Sequence, residues 1–465
     1  MTMKYDLAVI GAGSAGFSAA ITAADAGKRV ALVGHGTIGG TCVNVGCVPS
    51  KTMIRAAEAL HAARAARRFP GLEASARISD FARLAKARDD LVSGLRQKKY
   101  IDILSANPLV DYIDEGAAQL VDGGVRAGGR MIQAGKIIIA TGARPSLPDI
   151  PGIDKLPTLD STALLALDHV PESLIFLGAG YIGAELAQMM ARFGSKVSLL
   201  CRSRLLPGAE PEISAALAQE LRAEGINLLE GITYDSCMLR DGRAVVSLNN
   251  GETMLEAAHI VLTTGRRANT EGLNLAGANV ETDHRGAIAT TTEMRSTNPD
   301  IYAAGDVTDR DQFVYMAAYG ARIAASNAVL GMQLHYDNRA MPWVVFTDPQ
   351  IAGVGLTEAQ AQKAGHKVKT SVLPLDQVPR ALAARDTRGL IKLVADADDD
   401  RLLGGQIMGP EGADSIQTLA LAIKAGMTAR ELAETIFPYL TTVEGLKLAA
   451  QTFERDIAQL SCCAG

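Results

Sequence analysis

At 465 residues, 48% hydrophobic and only 4% aromatic, the chain has room for roughly two to four globular domains with aliphatic, alanine-rich cores. A formal charge of −5 without a basic block argues against nucleic acid or an anionic membrane as partner. No run approaches ~18 apolar residues, and the first strand follows the start too closely for a secretory leader. A cytoplasmic protein with reduced or reactive cysteines is expected. The first predicted element is an apolar strand, Leu7 to Ile10, running into Gly11-Ala-Gly13-Ser-Ala-Gly16 and an alanine-rich helix, with a second strand at Val30 to Val33. In that order the glycines serve a tight turn, close backbone approach to a pyrophosphate, and close packing of helix on strand. The acidic residue that ordinarily ends the second strand, for a ribose hydroxyl, is replaced by Gly34, followed by His35.

Next comes GGTCVNVGCVPSK, residues 39 to 51. Cys42 and Cys47 are five apart, about 140° out of phase on a regular helix, so a distortion containing Gly46 is needed to bring the sulfurs together. A structural zinc half-site would need a second cysteine or histidine pair at ligand spacing, and the sequence offers none. A redox-active dithiol beside a dinucleotide site fits better. The stretch RAAEALHAARAARRF, residues 55 to 69, carries few charges among many alanines and reads as a packed helix.

The dinucleotide pattern recurs at Gly178, Gly180 and Gly183, again between an apolar strand and a helix. Here the acidic position is Cys201, followed by Arg202 and Arg204. Loss of the carboxylate and gain of arginines is the change expected when a 2′-phosphate is accommodated, which favours NADPH over NADH.

These segments, together with IIIATGARP (137–145), GAGYIGAE (178–185), LTTGRRAN (262–269), IYAAGDVTD (301–309) and FTDPQIAGVGLTE (346–358), resemble the pyridine nucleotide-disulphide oxidoreductases along essentially the whole chain. The resemblance implies an α/β fold with two Rossmann-like dinucleotide-binding domains arranged as in glutathione reductase, and an α+β carboxyl-terminal dimerisation domain. It implies FAD in the first site, NADPH in the second, and a homodimer. From motif order, residues 1–149 and 266–338 are expected to form the FAD-binding domain, 150–265 the NADPH-binding domain, and 339–465 the interface domain. The resemblance places Cys47 against the flavin as the thiolate and Cys42 outward as the interchange thiol. It sets Lys51 beside the flavin N5 with Glu185 as its ion-pair partner, and Asp306 on the ribityl chain. Gly40, Thr41, Thr141, Gly142 and Gly265 are further cofactor-binding positions.

Towards the carboxyl terminus, FPYLTTVEGLKLAAQTF has Tyr439 where disulfide-reducing members of the family carry a histidine general acid, with Glu444 five residues on. A phenol of pKa near ~10 is a poor acid at neutral pH. The chain then closes on QLSCCAG, whose vicinal Cys462 and Cys463 would form only a strained bridge and read better as ligands for a soft ion. Together these features resemble the branch of the family that reduces mercuric ion. That implies Hg(II) as substrate, arriving on low-molecular-weight thiols and passed from Cys462 and Cys463 to Cys42 and Cys47, with Tyr439 and Tyr100 lining the inner site. No amino-terminal metal-binding domain with its own CxxC is expected. A dihydrolipoamide dehydrogenase or other organic disulfide reductase stands as the alternative.

Overall fold

The structure is a computed structural model that describes residues 4–456. Strand β1 (Lys4–Ile10) enters the turn at Gly11, and helix α1 (Ser14–Asp25) leads back to strand β2 (Val30–Val33). β1 and β2 are parallel, and β2 pairs in turn with β3 (Val110–Ile113). Beyond them β4 (Ala118–Val121), β5 (Gly124–Ala127) and β6 (Arg130–Ile139) complete the sheet in the order β3-β2-β1-β6-β5-β4, with Ile301–Ala303 pairing alongside β6. All four residues of β2 are buried, as an apolar run covered on both faces requires. Gly11 has φ +117°, and a Cβ there would lie 2.2 Å from the Ala140 carbonyl oxygen. At Gly16 a Cβ would meet the Gly11 carbonyl oxygen at 1.7 Å, so α1 sits directly on the end of β1. The alanines of α1 pack against those of the helix Val314–Leu330, among them Ala19, Ala20, Ala321 and Ala324.

A second parallel sheet repeats the plan. Its strands are ordered Asn227–Glu230, Lys196–Cys201, Ser173–Leu177, His259–Leu262 and Leu159–Asp160, with the helix Tyr181–Phe193 after the second glycine turn. A small antiparallel sheet, Tyr234–Arg240, Arg243–Leu248 and Thr253–Ala257, is attached to it. The chain passes between the two nucleotide units through a paired crossing of Ala143–Pro145 and Arg266–Ala268. The third unit is a five-stranded antiparallel sheet built from Pro342–Val345, Gln350–Gly355, Leu402–Gly409, Leu390–Asp396 and Val368–Pro374, with the helix Gly412–Ala425 against it.

Charge pairs, some of them buried, stitch the units together. Lys392 of the third unit is only 2% exposed and reaches Glu210 at 3.1 Å and Glu212 at 2.9 Å in the second, and Glu358 at 2.8 Å in its own. Arg192 of the second unit binds Glu224 at 2.6 Å and Asp348 of the third at 3.0 Å. Arg68, from the first unit, reaches Asp386 of the third at 2.7 Å. Removing Lys392 would leave Glu210, 3% exposed, without its countercharge, at a cost of about 3–5 kcal/mol. Among the described residues no helix is long and apolar enough to cross a membrane.

Candidate active site

Helix α2 (Gly40–Val45) stops at Gly46, and α3 (Cys47–Ala65) starts afresh on its far side, so the helix breaks between the two cysteines where their spacing demands it. Gly46 is needed for the break, since a Cβ there would lie 2.9 Å from the Thr41 carbonyl oxygen. Gly40 presses on the first dinucleotide turn: its Cβ would stand 2.6 Å from the Cα of Gly13. The redox segment is thereby laid directly on the nucleotide turn.

Cys42 and Cys47 are free thiols joined by a hydrogen bond. That bond is the largest cause drawing the Cys47 thiol down to about 7, burial opposing it and the Lys51 ammonium adding to it. Cys47 also begins a helix of 19 residues, whose N-terminus favours an anion. The same hydrogen bond, with burial, pushes Cys42 up, so of the two thiols Cys47 is the one whose thiolate is favoured.

Lys51 lies one turn along α3. Its Nζ sits 2.6 Å from Glu185 Oε2 and 4.9 Å from the centre of the Phe346 ring. Glu185, 6% exposed on the helix Tyr181–Phe193, accepts a second bond from the Phe346 backbone N–H at 2.9 Å. One carboxylate therefore holds residues from all three units, and its two oxygens fix where the Lys51 ammonium points.

All four side chains line a cavity of about 1170 Å³ that also takes in Gly13, Ser14, Gly40, Thr41, Thr141, Gly142, Gly265, Arg266 and Asp306. It is larger than the roughly 300–1,000 Å³ usual for a drug-sized ligand, and so has room for a dinucleotide. Its wall also carries a polar atom wanting a partner. Arg266 Nε is buried without a hydrogen bond, and the Asp306 carboxylate, 3.7 Å away and raised by burial, is too distant to satisfy it. Bare glycine backbone, a helix N-terminus at Ser14 and this orphaned pair fit the diphosphate and polyol of FAD.

In the second unit a Cβ at Gly178 would meet the Thr263 carbonyl oxygen at 2.5 Å, and one at Gly183 the Gly178 carbonyl oxygen at 2.1 Å. Around Gly180 the space is open, as a phosphate-facing turn requires. The two arginines differ: Arg202 is exposed, whereas Arg204 spends its guanidinium on the carbonyls of Pro207 at 3.0 Å and Ala209 at 2.7 Å. Cys201 is buried, its thiol raised to about 12 by desolvation, so the strand end offers no anion to a ribose. Tyr181, next after Gly180, lines the cavity, stacked 5.4 Å from Trp343.

The structure does not bring Tyr439 to this cavity within one chain. It is 55% exposed on the loop ahead of the helix Glu444–Gln451, and Glu444 accepts from the Leu440 backbone N–H at 3.1 Å. Tyr100, on a π-helical turn after α4 (Phe81–Arg96), packs edge-on against Phe17 at 4.6 Å and lies outside the cavity lining. Cys462 and Cys463 lie outside the described residues. Among the described residues no cluster of three or more His, Cys, Asp or Glu could hold a metal ion. Sequence reasoning missed Arg266, Phe346 and Tyr112, which reach the site through pairings distant in sequence, and left Tyr315, a cavity residue, without a role.

Residues 5–325 match the family described as pyridine nucleotide-disulphide oxidoreductase, and residues 341–450 its dimerisation domain. Mercuric reductase of Staphylococcus aureus is 45% identical over 99% of this chain and 84% of its own length. Mercuric reductase of Streptomyces lividans is 45% identical over 99% of this chain and 98% of its own. Among solved structures, the HOCl-induced flavoprotein disulfide reductase RclA from Escherichia coli matches with a TM-score of 0.85 at 32% identity, covering 96% of this chain and 99% of that one.

Proposed function

Since the chain belongs to the pyridine nucleotide-disulphide oxidoreductases, we propose that it is a mercuric reductase, an NADPH-dependent FAD enzyme that reduces Hg(II) to Hg(0). The observation that carries this reading is 45% identity to mercuric reductases over 99% of the chain. The match of residues 341–450 to the dimerisation domain supports a homodimer. We assign residues 1–149 and 266–338 to FAD, 150–265 to NADPH and 339–465 to the interface, and place the reaction in the cytoplasm.

Bound FAD and NADPH supply two electrons per turnover, so that NADPH and Hg(II) become NADP⁺, a proton and Hg(0). The chain's own residues do the rest. Glu185 fixes the Lys51 ammonium, which with the α3 N-terminus keeps Cys47 as thiolate. Cys42 and Cys47 hold the substrate ion between two sulfurs, the coordination a soft ion favours. Neutral mercury has no charge to bind it to thiolate, and leaves. Arg202 serves the 2′-phosphate of NADPH with its guanidinium exposed, and Arg204, whose Nη2 is taken by backbone carbonyls, adds only its remaining N–H groups. Cys462 and Cys463 collect Hg(II) from low-molecular-weight thiols and pass it inward; Tyr439, away from the cavity of its own chain, flanks an inner site only across the homodimer interface, and Tyr100, outside the cavity lining, packs behind it on Phe17. Tyr439 in place of a histidine general acid weighs against the alternative, reduction of an organic disulfide.

The test is to follow NADPH oxidation by the purified yellow protein with Hg(II) and excess thiol, and in parallel with lipoamide and with glutathione disulfide. Oxidation with the mercuric complex alone is expected, and turnover of a disulfide in its place refutes the reading. A pH dependence follows as well. In the two-electron-reduced enzyme, the long-wavelength absorbance of a thiolate against flavin is expected to be full well above pH 7 and to fade as pH falls through about 7, where Cys47 takes up its proton. Lys51→Met removes one of the groups that lower this value, and is expected to move the midpoint upward in a spectrophotometric titration.

A further inference from the structure

The missing acidic residue at the end of β2 has a counterpart elsewhere in the sheet. β3 pairs with β2 in parallel, setting Tyr112 beside Leu32 and Ile113 beside Val33, and the Gly34 N–H continues the ladder to the Ile113 carbonyl at 2.9 Å. Side chains two residues apart on a strand share a face, so the Tyr112 ring on the Leu32 face reaches forward over Gly34. A Cβ built on Gly34 would lie 2.3 Å from Tyr112 Oη, 2.6 Å from its Cε2 and 2.7 Å from its Cζ. That separation is one to two bonds beyond a Cβ, where the arm of a glutamate at position 34 would run. Tyr112 also lines the large cavity, as do His35, Gly36 and Thr37, the residues that follow Gly34.

In dinucleotide-binding units the residue at this strand end meets the ribose 2′-hydroxyl of the adenosine. We infer that Tyr112 replaces the absent carboxylate, its phenol hydroxyl hydrogen-bonding the adenosine ribose of FAD, and that Gly34 is glycine because Tyr112 fills its side-chain space. Burial, helped by Asp114, holds the phenol above its ordinary value, so the hydroxyl stays protonated and can both donate and accept. A carboxylate can only accept. The two positions form one unit: a side chain at 34 excludes the ring, and the ring excludes the side chain.

This inference rests on the FAD reading, and its test is binding. Holoenzyme of Tyr112→Phe, which keeps the ring and loses only the hydroxyl, is diluted until flavin is released, and free FAD is read by its fluorescence. Binding about threefold to tenfold weaker than in the unchanged protein is expected, as for one neutral hydrogen bond. FAD carrying 2′-deoxyadenosine, exchanged into the unchanged protein, is expected to lose the same factor. In Tyr112→Phe it is expected to lose nothing more. The analogue in the unchanged protein gives a result that no folding defect of the variant touches. Gly34→Glu alone is expected to weaken FAD binding, for want of space, and Gly34→Glu with Tyr112→Val to recover it. Undiminished affinity in Tyr112→Phe, a full further loss with the deoxy analogue in that variant, or no loss with it in the unchanged protein overturns the inference. Purified protein devoid of FAD counts against the enzyme reading itself, whereas FAD held equally by Tyr112→Phe counts only against Tyr112.

Discussion

Cys47→Ser is expected to cut mercuric-ion turnover by at least about a thousandfold, as losing a nucleophile does, and to erase the long-wavelength band of the two-electron-reduced enzyme. Cys42→Ser is expected to lose turnover while keeping the band. The asymmetry comes from position. Cys47 opens α3, sits within the influence of Lys51, and has its thiol lowered to about 7, while Cys42 is pushed the other way. Both sulfurs feel Lys51, but only Cys47 also starts a helix, and only its thiol is drawn down towards neutral pH. Absorbance spectra of both reduced variants decide the matter, and a band that followed Cys42 would reverse the two roles.

The second large effect concerns the end of the chain, outside the described residues. Cys462→Ala with Cys463→Ala is expected to leave reduction of the flavin by NADPH and turnover of small, weakly complexed mercury salts nearly intact. Turnover of Hg(II) carried by two bulky thiols is expected to fall by on the order of a hundredfold, the gain a tethered second site ordinarily supplies. Two tail thiols can strip both bulky ligands before the ion passes to Cys42 and Cys47. Heterodimers tell which site each tail serves. If delivery crosses the interface, Cys42→Ala on one chain and the tail change on the other leaves one whole site, whereas both changes on one chain leave none. The reverse pattern shows that each tail serves its own subunit.

The parts of this site legible in the sequence are those set by local geometry. Gly11 and Gly16 announce a turn and a close helix contact because each requirement is met within a few residues, and the helix break at Gly46 follows from the spacing of Cys42 and Cys47 alone. Lys51 and Glu185, 134 positions apart, could be paired only through resemblance to a family. What remained hidden depends on register and long-range packing. Gly34 looked like a lost contact, because nothing near it reveals that β3 pairs alongside β2 and lays a phenol over it. Arg266 is brought to Asp306 by the crossing with Ala143–Pro145, a pairing with no local signature. Phe346 contributes a backbone N–H to Glu185 and a ring face to Lys51, and the first is invisible to any argument from residue type.

The clasp of Lys392 by Glu210, Glu212 and Glu358 bears on the tempo of the enzyme. With the second unit held to the third by buried Lys392 on Glu210 and Glu212, and by Arg192 on Asp348, swinging the nucleotide unit open means exposing or orphaning those charges at several kcal/mol. A hinge of that kind would run over about microseconds to milliseconds. The Tyr181 ring, stacked on Trp343 at the cavity wall, stands outside that clasp, so turning it ruptures none of those charge pairs. Small movements at the cavity wall therefore cost far less than parting the two units.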